Sequence, residues 1–206
     1  MERSAADRRA RQVELRAERS AITDPDIVLA AAAALLAIRS RTTHELRGRL
    51  VMLGYPEGMV DVTLDRLMAL GYLDDEAYAR AWVAGRDRAR PRGSAALRQE
   101  LLRKGLGRDL VDATLEEREA LRGQDPTAEA AGDPDDVTAG QTSADHAAAV
   151  RLLDRRRNSL LREPDPRRRQ QRAYSLLARN GFDPGICRDA TRAFLQDPDD
   201  VASGQV

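Results

Sequence analysis

The sequence predicts an all-α protein built from tandem three-helix repeats, and three observations predict it. First, stretches of the chain overlay on one another without a gap: Thr43–Asp65 (THELRGRLVMLGYPEGMVDVTLD), Ser94–Glu116 (SAALRQELLRKGLGRDLVDATLE) and, more faintly, Gln170–Arg192 (QQRAYSLLARNGFDPGICRDATR). A fixed internal period is the signature of repeat architecture. Second, the chemistry recurs at fixed offsets. Leu46, Leu97 and Ala173 are followed four residues later by Leu50, Leu101 and Leu177, and four after that by Gly54, Gly105 and Gly181. A bulky apolar residue follows each glycine (Tyr55, Leu106, Phe182), and a second helical pattern begins near Met59, Leu110 or Ile186. Third, no alternation of apolar and polar residues longer than about four positions suggests a strand.

Met1–Asp26 is polar, carries six charges of each sign and has few apolar residues, a composition that predicts a disordered arm. The first repeat spans residues 27–73. It opens with a helix over Ile27–Arg39, rich in alanine and leucine. Thr42-Thr43-His44-Glu45 has the form of a capping box, in which the threonine hydroxyl and the glutamate each satisfy a free amide. The helix it starts should end at Gly54, a glycine suited to the left-handed terminus. Met59–Leu70 is its third helix, closed by Gly71.

The second repeat spans 74–122. Asp74-Asp75 begins its first helix as cap and first-turn acid, and Tyr78, Ala79, Trp82 and Val83 form one apolar stripe. Such spacing fits core packing better than base stacking. Pro91 and Gly93 force a turn, after which Ser94–Lys104 and Arg108–Leu121 are helical. Gly123–Ser143 lacks periodicity and is rich in Gly, Pro, Asp and Thr, so it reads as a flexible acidic linker. The third repeat covers 144–195, and 196–206 is an acidic, disordered tail. Its DPDDVASGQ nearly duplicates DPDDVTAGQ in the linker.

Net charge is zero, with 34 residues of each sign, but the charges are segregated. Ile27–Arg122 is +2, Gly123–Ser143 is −5, Ala144–Leu195 is +6 and the tail is −3. Lys104 is the sole lysine; every other basic residue is arginine, whose planar fork suits phosphate and carboxylate. One cysteine, Cys187, excludes an internal disulfide and fits a reducing, cytoplasmic setting. No apolar run reaches the ~18 residues that span a bilayer.

Ser40-Arg41-Thr42-Thr43-His44-Glu45-Leu46, then Leu50, Gly54 and LMALGYLDD at Leu67–Asp75 with Tyr78 and Ala79 after it, resemble the RecX family, the regulators of the RecA recombinase. Arg90, Gly93, Leu97, Glu100-Leu101 and Lys104-Gly105-Leu106 continue that pattern. The resemblance covers about Ile27–Glu119. It implies repeats curved into an elongated, concave protein that binds in the groove of the RecA–DNA filament. It further implies opposition to recombination, ATP hydrolysis and coprotease activity, and hence a part in DNA repair. Two features depart from the family pattern: the long acidic insertion after the second repeat, and Ala173 where the first two repeats have leucine.

Catalytic signatures are missing, and no cofactor or metal is expected: there is no phosphate-binding loop, and His44 and His146 cannot assemble a zinc set with one cysteine. His44 is expected to be exposed on a first turn and Cys187 to be a small core residue. Binding chemistry remains. Arg86, Arg88, Arg90, Arg92, Arg98, Arg103, Lys104 and Arg108 stand against Asp87 and Glu100, giving +6 within 23 residues. Arg151, Arg155, Arg156, Arg157, Arg162, Arg167, Arg168, Arg169 and Arg172 form a second cluster. Such density repels itself unless an anion compensates it, so the candidate partner is single- or double-stranded DNA, through sequence-independent phosphate contacts; the RecA filament is the partner that the family resemblance implies. A solvated helical face explains the same residues without a ligand. The expected function is therefore a monomeric, non-enzymatic modulator of RecA. The rivals are a helical-repeat DNA-binding protein with no recombinase partner and a protein-only adaptor.

Overall fold

The computed structural model describes residues 5–122 and 143–196, and among these every regular element is an α-helix. The described residues fall into two compact units: one holds those up to Tyr78 together with Arg103–Leu106, the other Ala79–Leu102 and those from Gly107 onward. The division passes through the second repeat. The linker expected over 123–143 and the tail over 196–206 lie, apart from Ser143 and Gln196, outside the described residues.

In the first unit the structure differs from expectation at the N-terminus. Residues Ala5–Ser20 form a helix, α1, where a disordered arm was expected. α2 (Pro25–Ile38) begins where Asp24 accepts a hydrogen bond from the Asp26 amide and Pro25 takes the first helical position. α3 (Thr43–Leu53) is capped by the Thr42 hydroxyl, which accepts from the Glu45 amide at 3.1 Å. The glutamate does not complete the expected box; its carboxylate accepts from Arg39 and Lys104 instead. α4 (Glu57–Ala69) ends at Gly71, and α5 (Asp75–Ala89) starts where Asp74 accepts from the Ala77 amide. Val28 and Ala32 of α2, Leu46 and Leu50 of α3, and Val60, Leu64 and Leu67 of α4 meet Tyr55 and Leu73 in one core. Each leucine so buried contributes on the order of 2 kcal/mol.

The second unit continues α5 and adds α6 (Ser94–Arg103, its last residue in the first unit), α7 (Arg108–Arg122), α8 (Ala144–Leu161), α9 (Pro166–Arg179) and α10 (Pro184–Gln196). α8, α9 and α10 close a core from Leu152, Leu153, Leu160, Ala173, Leu177, Phe182, Cys187 and Phe194. Ala173 is as fully buried as Leu46 and Leu97, and Cys187 is a core residue with no exposure.

The repeats share a joint built around the glycine that ends each second helix. Gly54, Gly105 and Gly181 have φ of 103°, 81° and 79°. A Cβ on Gly54 would stand 2.8 Å from the Arg16 backbone oxygen, on Gly105 2.2 Å from His44 Cγ, and on Gly181 2.5 Å from Ala96 Cβ. The carbonyl just before each glycine is satisfied across the same contact. Leu53 O accepts from the Arg19 side chain at 3.3 Å, Lys104 O from the Thr42 hydroxyl at 2.6 Å, and Asn180 O from the Gly93 amide at 3.1 Å. An aspartate from the following repeat then caps the second helix: Asp75 accepts from the Thr43 amide, and Asp145 from the Ser94 amide, each at 2.9 Å. α1 thus supplies to the first repeat, through Arg16 and Arg19, the glycine and carbonyl contacts that each repeat supplies to the next.

The joint separates two costs of replacing glycine. Gly71 has φ of 72° with nothing within 4 Å of an added Cβ, whereas Gly181 has both the left-handed backbone and the clash. Gly71→Ala is expected to cost about 1–2 kcal/mol, the penalty of the left-handed conformation alone, and Gly181→Ala at least about 3 kcal/mol, since backbone must also move. Urea midpoints followed by circular dichroism check the order; equal losses would show that the clash adds nothing.

Candidate nucleic-acid interface

The first arginine cluster follows from the end of α5, the Pro91–Gly93 turn and α6, and its members do not share one fate. Arg86 donates from Nε to Glu100 at 2.8 Å, and its guanidinium lies 4.7 Å from the centre of the Trp82 ring. Trp82 Nε1 donates to the same carboxylate at 2.9 Å, and Arg92 Nε stands 3.0 Å from its other oxygen. Trp82 is therefore a half-buried polar anchor and Tyr78 is half-buried, so neither is the core residue expected. Arg98 donates to Asp112 at 2.7 Å; this pair repeats Arg47–Asp61 of the first repeat at the same offsets, so its geometry belongs to the repeat. In the first unit, Lys104 donates to Glu45 at 3.1 Å and lies 5.3 Å from the Tyr78 ring centre.

What is left carries the charge. Arg88, Arg90 and Arg108 of the second unit, and Arg103 of the first, make no ion pair among the described residues, and all four are exposed. The second cluster lies on α8 and α9. Arg155 donates to the carbonyl oxygens of Arg88 and Ala89, so the last turn of α5 brings the two clusters together in the second unit. A guanidinium suits that negative end of the helix dipole. Arg156 and Arg167 are exposed without an ion pair among the described residues. Arg157 stands 3.9 Å from Asp154 and 5.5 Å from the Phe194 ring centre, Arg168 stands 3.6 Å from Asp165, and Arg169 donates to the Glu163 carbonyl at 3.1 Å. Exposed pairs such as Arg98–Asp112 are worth roughly 0–1 kcal/mol, so an arriving phosphate can replace the carboxylate at little cost.

One arginine that matters is not singled out by sequence. Arg118 occupies in the second repeat the position held by Leu67 in the first and Phe194 in the third, and it is buried, with 8% exposure. Its Nε and Nη2 donate to the two oxygens of Asp87, both at 2.9 Å, and Nη1 donates to Asp145 at 2.6 Å. Asp145 also accepts from the Ser94 hydroxyl at 3.0 Å. Burial works against the Arg118 charge, but the hydrogen bonds and charges of Asp87 and Asp145 outweigh it and raise its pKa. This network fixes the end of α5, from which Arg88 and Arg90 project, against α7 and α8. A cleft of about 370 Å³ lies beside it, lined by Arg80, Val83, Leu121 and Arg151 among others. The overlay of repeats was the signal available: a charged residue in a leucine slot demands buried partners.

No group of three or more His, Cys, Asp or Glu side chains among the described residues is arranged to hold a metal ion. His44 is exposed, as expected. Burial, then Asp183, push the Cys187 thiol up against the opposing Arg188, which keeps it protonated. No helix among the described residues is long and apolar enough to cross a membrane.

Two family models match the chain: RecX, first three-helix domain, over residues 29–67, and RecX, second three-helix domain, over residues 74–115. The regulatory protein RecX of Mycolicibacterium vanbaalenii is 32% identical over 165 residues, covering 78% of this chain and 78% of that protein. Its counterpart in Deinococcus radiodurans is 33% identical over 178 residues, 85% of this chain and 73% of that protein. Among solved structures, RecX from Lactobacillus salivarius shares the fold with a TM-score of 0.63 at 17% identity, over 82% of this chain and 96% of that one. A second structure of a regulatory protein RecX has a TM-score of 0.57 at 20% identity, over 90% of this chain and 76% of that one.

Two substitutions test the electrostatics. Arg118→Met leaves Asp87 and Asp145 without their guanidinium, and is expected to cost about 3–5 kcal/mol in urea unfolding; Asp145→Asn should cost less, since the amide oxygen still accepts. Glu45 offers a pH readout. Burial, its largest influence, raises its pKa, but the hydrogen bonds and charges of Lys104 and Arg39 together hold it below the ordinary carboxylate value. Its contribution is thus present above the unfolded value, about 4.3, and lost as pH falls through the folded one. The urea midpoint of Glu45→Gln should fall below that of the parent at neutral pH, and the gap should close below about pH 4. A gap independent of pH would show that the carboxylate charge does not matter.

Proposed function

The chain belongs to the RecX family, and on that premise we propose that it regulates the RecA recombinase by binding the RecA–DNA filament and inhibiting its recombinase and coprotease activities. The observation that carries the reading is the set of exposed guanidiniums at the end of α5, at the start of α7 and along α8 and α9. Arg88, Arg90, Arg108, Arg156 and Arg167 lack ion-pair partners among the described residues, and Arg155 ties one cluster to the other. Arg86, Arg92 and Arg118 hold the scaffold in shape, so the binding set is smaller than the basic residues of the sequence suggest. Arg98 and Arg168, in weak exposed pairs, join it when phosphate is present.

Phosphate contacts of this kind supply affinity and register without sequence choice. The filament's DNA presents the polyanion, and the exposed guanidiniums of the second unit are the groups that meet it. Arg103 and Lys104 belong to the first unit; we assign Arg103, which is exposed, to the same phosphate-binding role.

Stoichiometric protein added to RecA assembled on single-stranded DNA is expected to lower ATP turnover and strand exchange. Arg88→Gln with Arg90→Gln should weaken that effect and reduce the slope of log K against log salt on duplex DNA by about 2, roughly 0.9 for each phosphate that is no longer neutralised. Unchanged ATP turnover with the parent protein removes the inhibitory role; an unchanged slope in the variant removes these two arginines.

A further inference from the structure

Nothing in the sequence assigns the first 26 residues a part in binding, yet residues of α1 and α3 together line a groove of about 630 Å³. Arg9, Arg16, Arg19 and Arg49 line this groove, and no carboxylate does. In a chain of zero net charge, a groove with four guanidiniums and no acid is a local imbalance that the fold creates. It creates it by sorting α1. At 3.6 residues per turn, Asp7, Glu14 and Glu18 fall on the side of the helix opposite Arg9 and Arg16, and Arg11 goes with the acids, donating to Glu14 at 2.8 Å. Arg9 and Arg16 make no ion pair among the described residues, and Arg49 reaches as far as the Met52 sulfur, at 3.6 Å, a weak acceptor. Arg19 is spent on the joint, donating to Leu53 O and lying 5.6 Å from the Tyr55 ring centre.

The rest of the groove is apolar. Val13 and Met52 are exposed by 71% and 65%, and Leu15 and Leu53 are half-buried beside them. Large apolar side chains left in water between arginines are a cost that a partner can recover. A phosphodiester backbone would satisfy the guanidiniums but leave Val13 and Met52 hydrated. Stacked bases would need an aromatic platform, and no aromatic residue lines this groove. A helix with an apolar stripe flanked by carboxylates matches both parts at once. Its apolar side chains fill the floor of Val13, Leu15, Met52 and Leu53, its acids meet Arg9, Arg16 and Arg49, and Met52 adapts its shape to whatever arrives.

We infer that the α1–α3 groove is a docking site for an acidic amphipathic helix of a partner protein, held by Arg9, Arg16 and Arg49 around an apolar floor of Val13 and Met52. Its residues are not those assigned to DNA, and no recombinase is needed to test it.

The probe is a fluorescein-labelled synthetic helix of about five turns, with leucines along one stripe and glutamates beside it. Anisotropy with the full chain should show saturable binding. Arg9→Glu with Arg49→Glu should weaken it by about tenfold or more, the milder Arg9→Gln with Arg49→Gln by less, and Val13→Ser with Met52→Ser by several-fold. All these positions are exposed, so far-UV circular dichroism should stay that of the parent. A matched peptide with serine for leucine should bind much more weakly than the parent peptide, and a fluorescein-labelled single-stranded oligonucleotide should bind the Val13→Ser, Met52→Ser variant as it binds the parent. The inference is overturned if the glutamate variant binds the peptide as tightly as the parent, or if the serine peptide binds equally well. It is also overturned if the peptide fails to bind while oligonucleotide affinity falls with Arg9 and Arg49, which would make the groove a phosphate site.

Discussion

Everything in this fold depends on the close approach of a neighbouring element to the backbone at the end of each second helix. A left-handed residue there turns the chain sharply, and the absence of a Cβ lets the neighbouring element approach to a distance no side chain tolerates. The approach brings the carbonyl before the glycine within reach of a donor, and an acid of the next repeat within reach of a helix N-terminus. Gly93 shows the same constraint from the other side. An added Cβ would lie 2.1 Å from Gly181 O, so the turn between α5 and α6 must be glycine for its amide to reach Asn180 O. Hydrogen bonds, not apolar area alone, therefore fix how successive elements meet within each unit.

The charge of the chain divides along the same line. Carboxylates of low exposure take several donors each: Glu100 accepts from Arg86 and Trp82 and pairs with Arg92, and Asp145, at a joint, accepts from Arg118 and Ser94. In that setting the paired charges are strongly held, and removing one partner strands the other. Carboxylates on exposed faces, such as Asp112 and Asp165, hold their arginines weakly. A polyanion competing for guanidiniums would strip the second class first and leave the other intact, so the scaffold would keep its shape.

The repeats were legible because the same apolar offsets and the same glycine recur, and short-range signals of that kind survive in sequence. Leu46, Leu50, Tyr55 and Val60 have buried counterparts in each later repeat, down to Cys187 in the slot of Val60. Three features were not legible, each for a physical reason. α1 has the composition of an arm because its apolar content is low; its order comes from the contact of Arg16 with Gly54 and of Arg19 with Leu53 O, which no local pattern encodes. Arg118 resembles one more surface charge, because its partners Asp87 and Asp145 lie 31 and 27 residues away. Trp82 is apolar by its spacing, but Glu100 gives its indole N–H a partner, and Arg86 covers its face.

A count of basic residues overstates a binding surface whenever arginine also serves as structural cement, and this chain measures the difference. Of the eight basic residues from Arg86 to Arg108, four hold no ion pair among the described residues. Arginine serves both ends because its fork satisfies two carboxylate oxygens when buried, as Arg118 does with Asp87, and two phosphate oxygens when exposed. What separates the roles is exposure of the acid, not identity of the base. A buried acid makes the pair permanent, whereas an exposed acid makes it a placeholder. An arginine-rich repeat protein can therefore carry no net charge and still present a cationic face, provided that its fold places the acids at the joints and leaves the guanidiniums outside them.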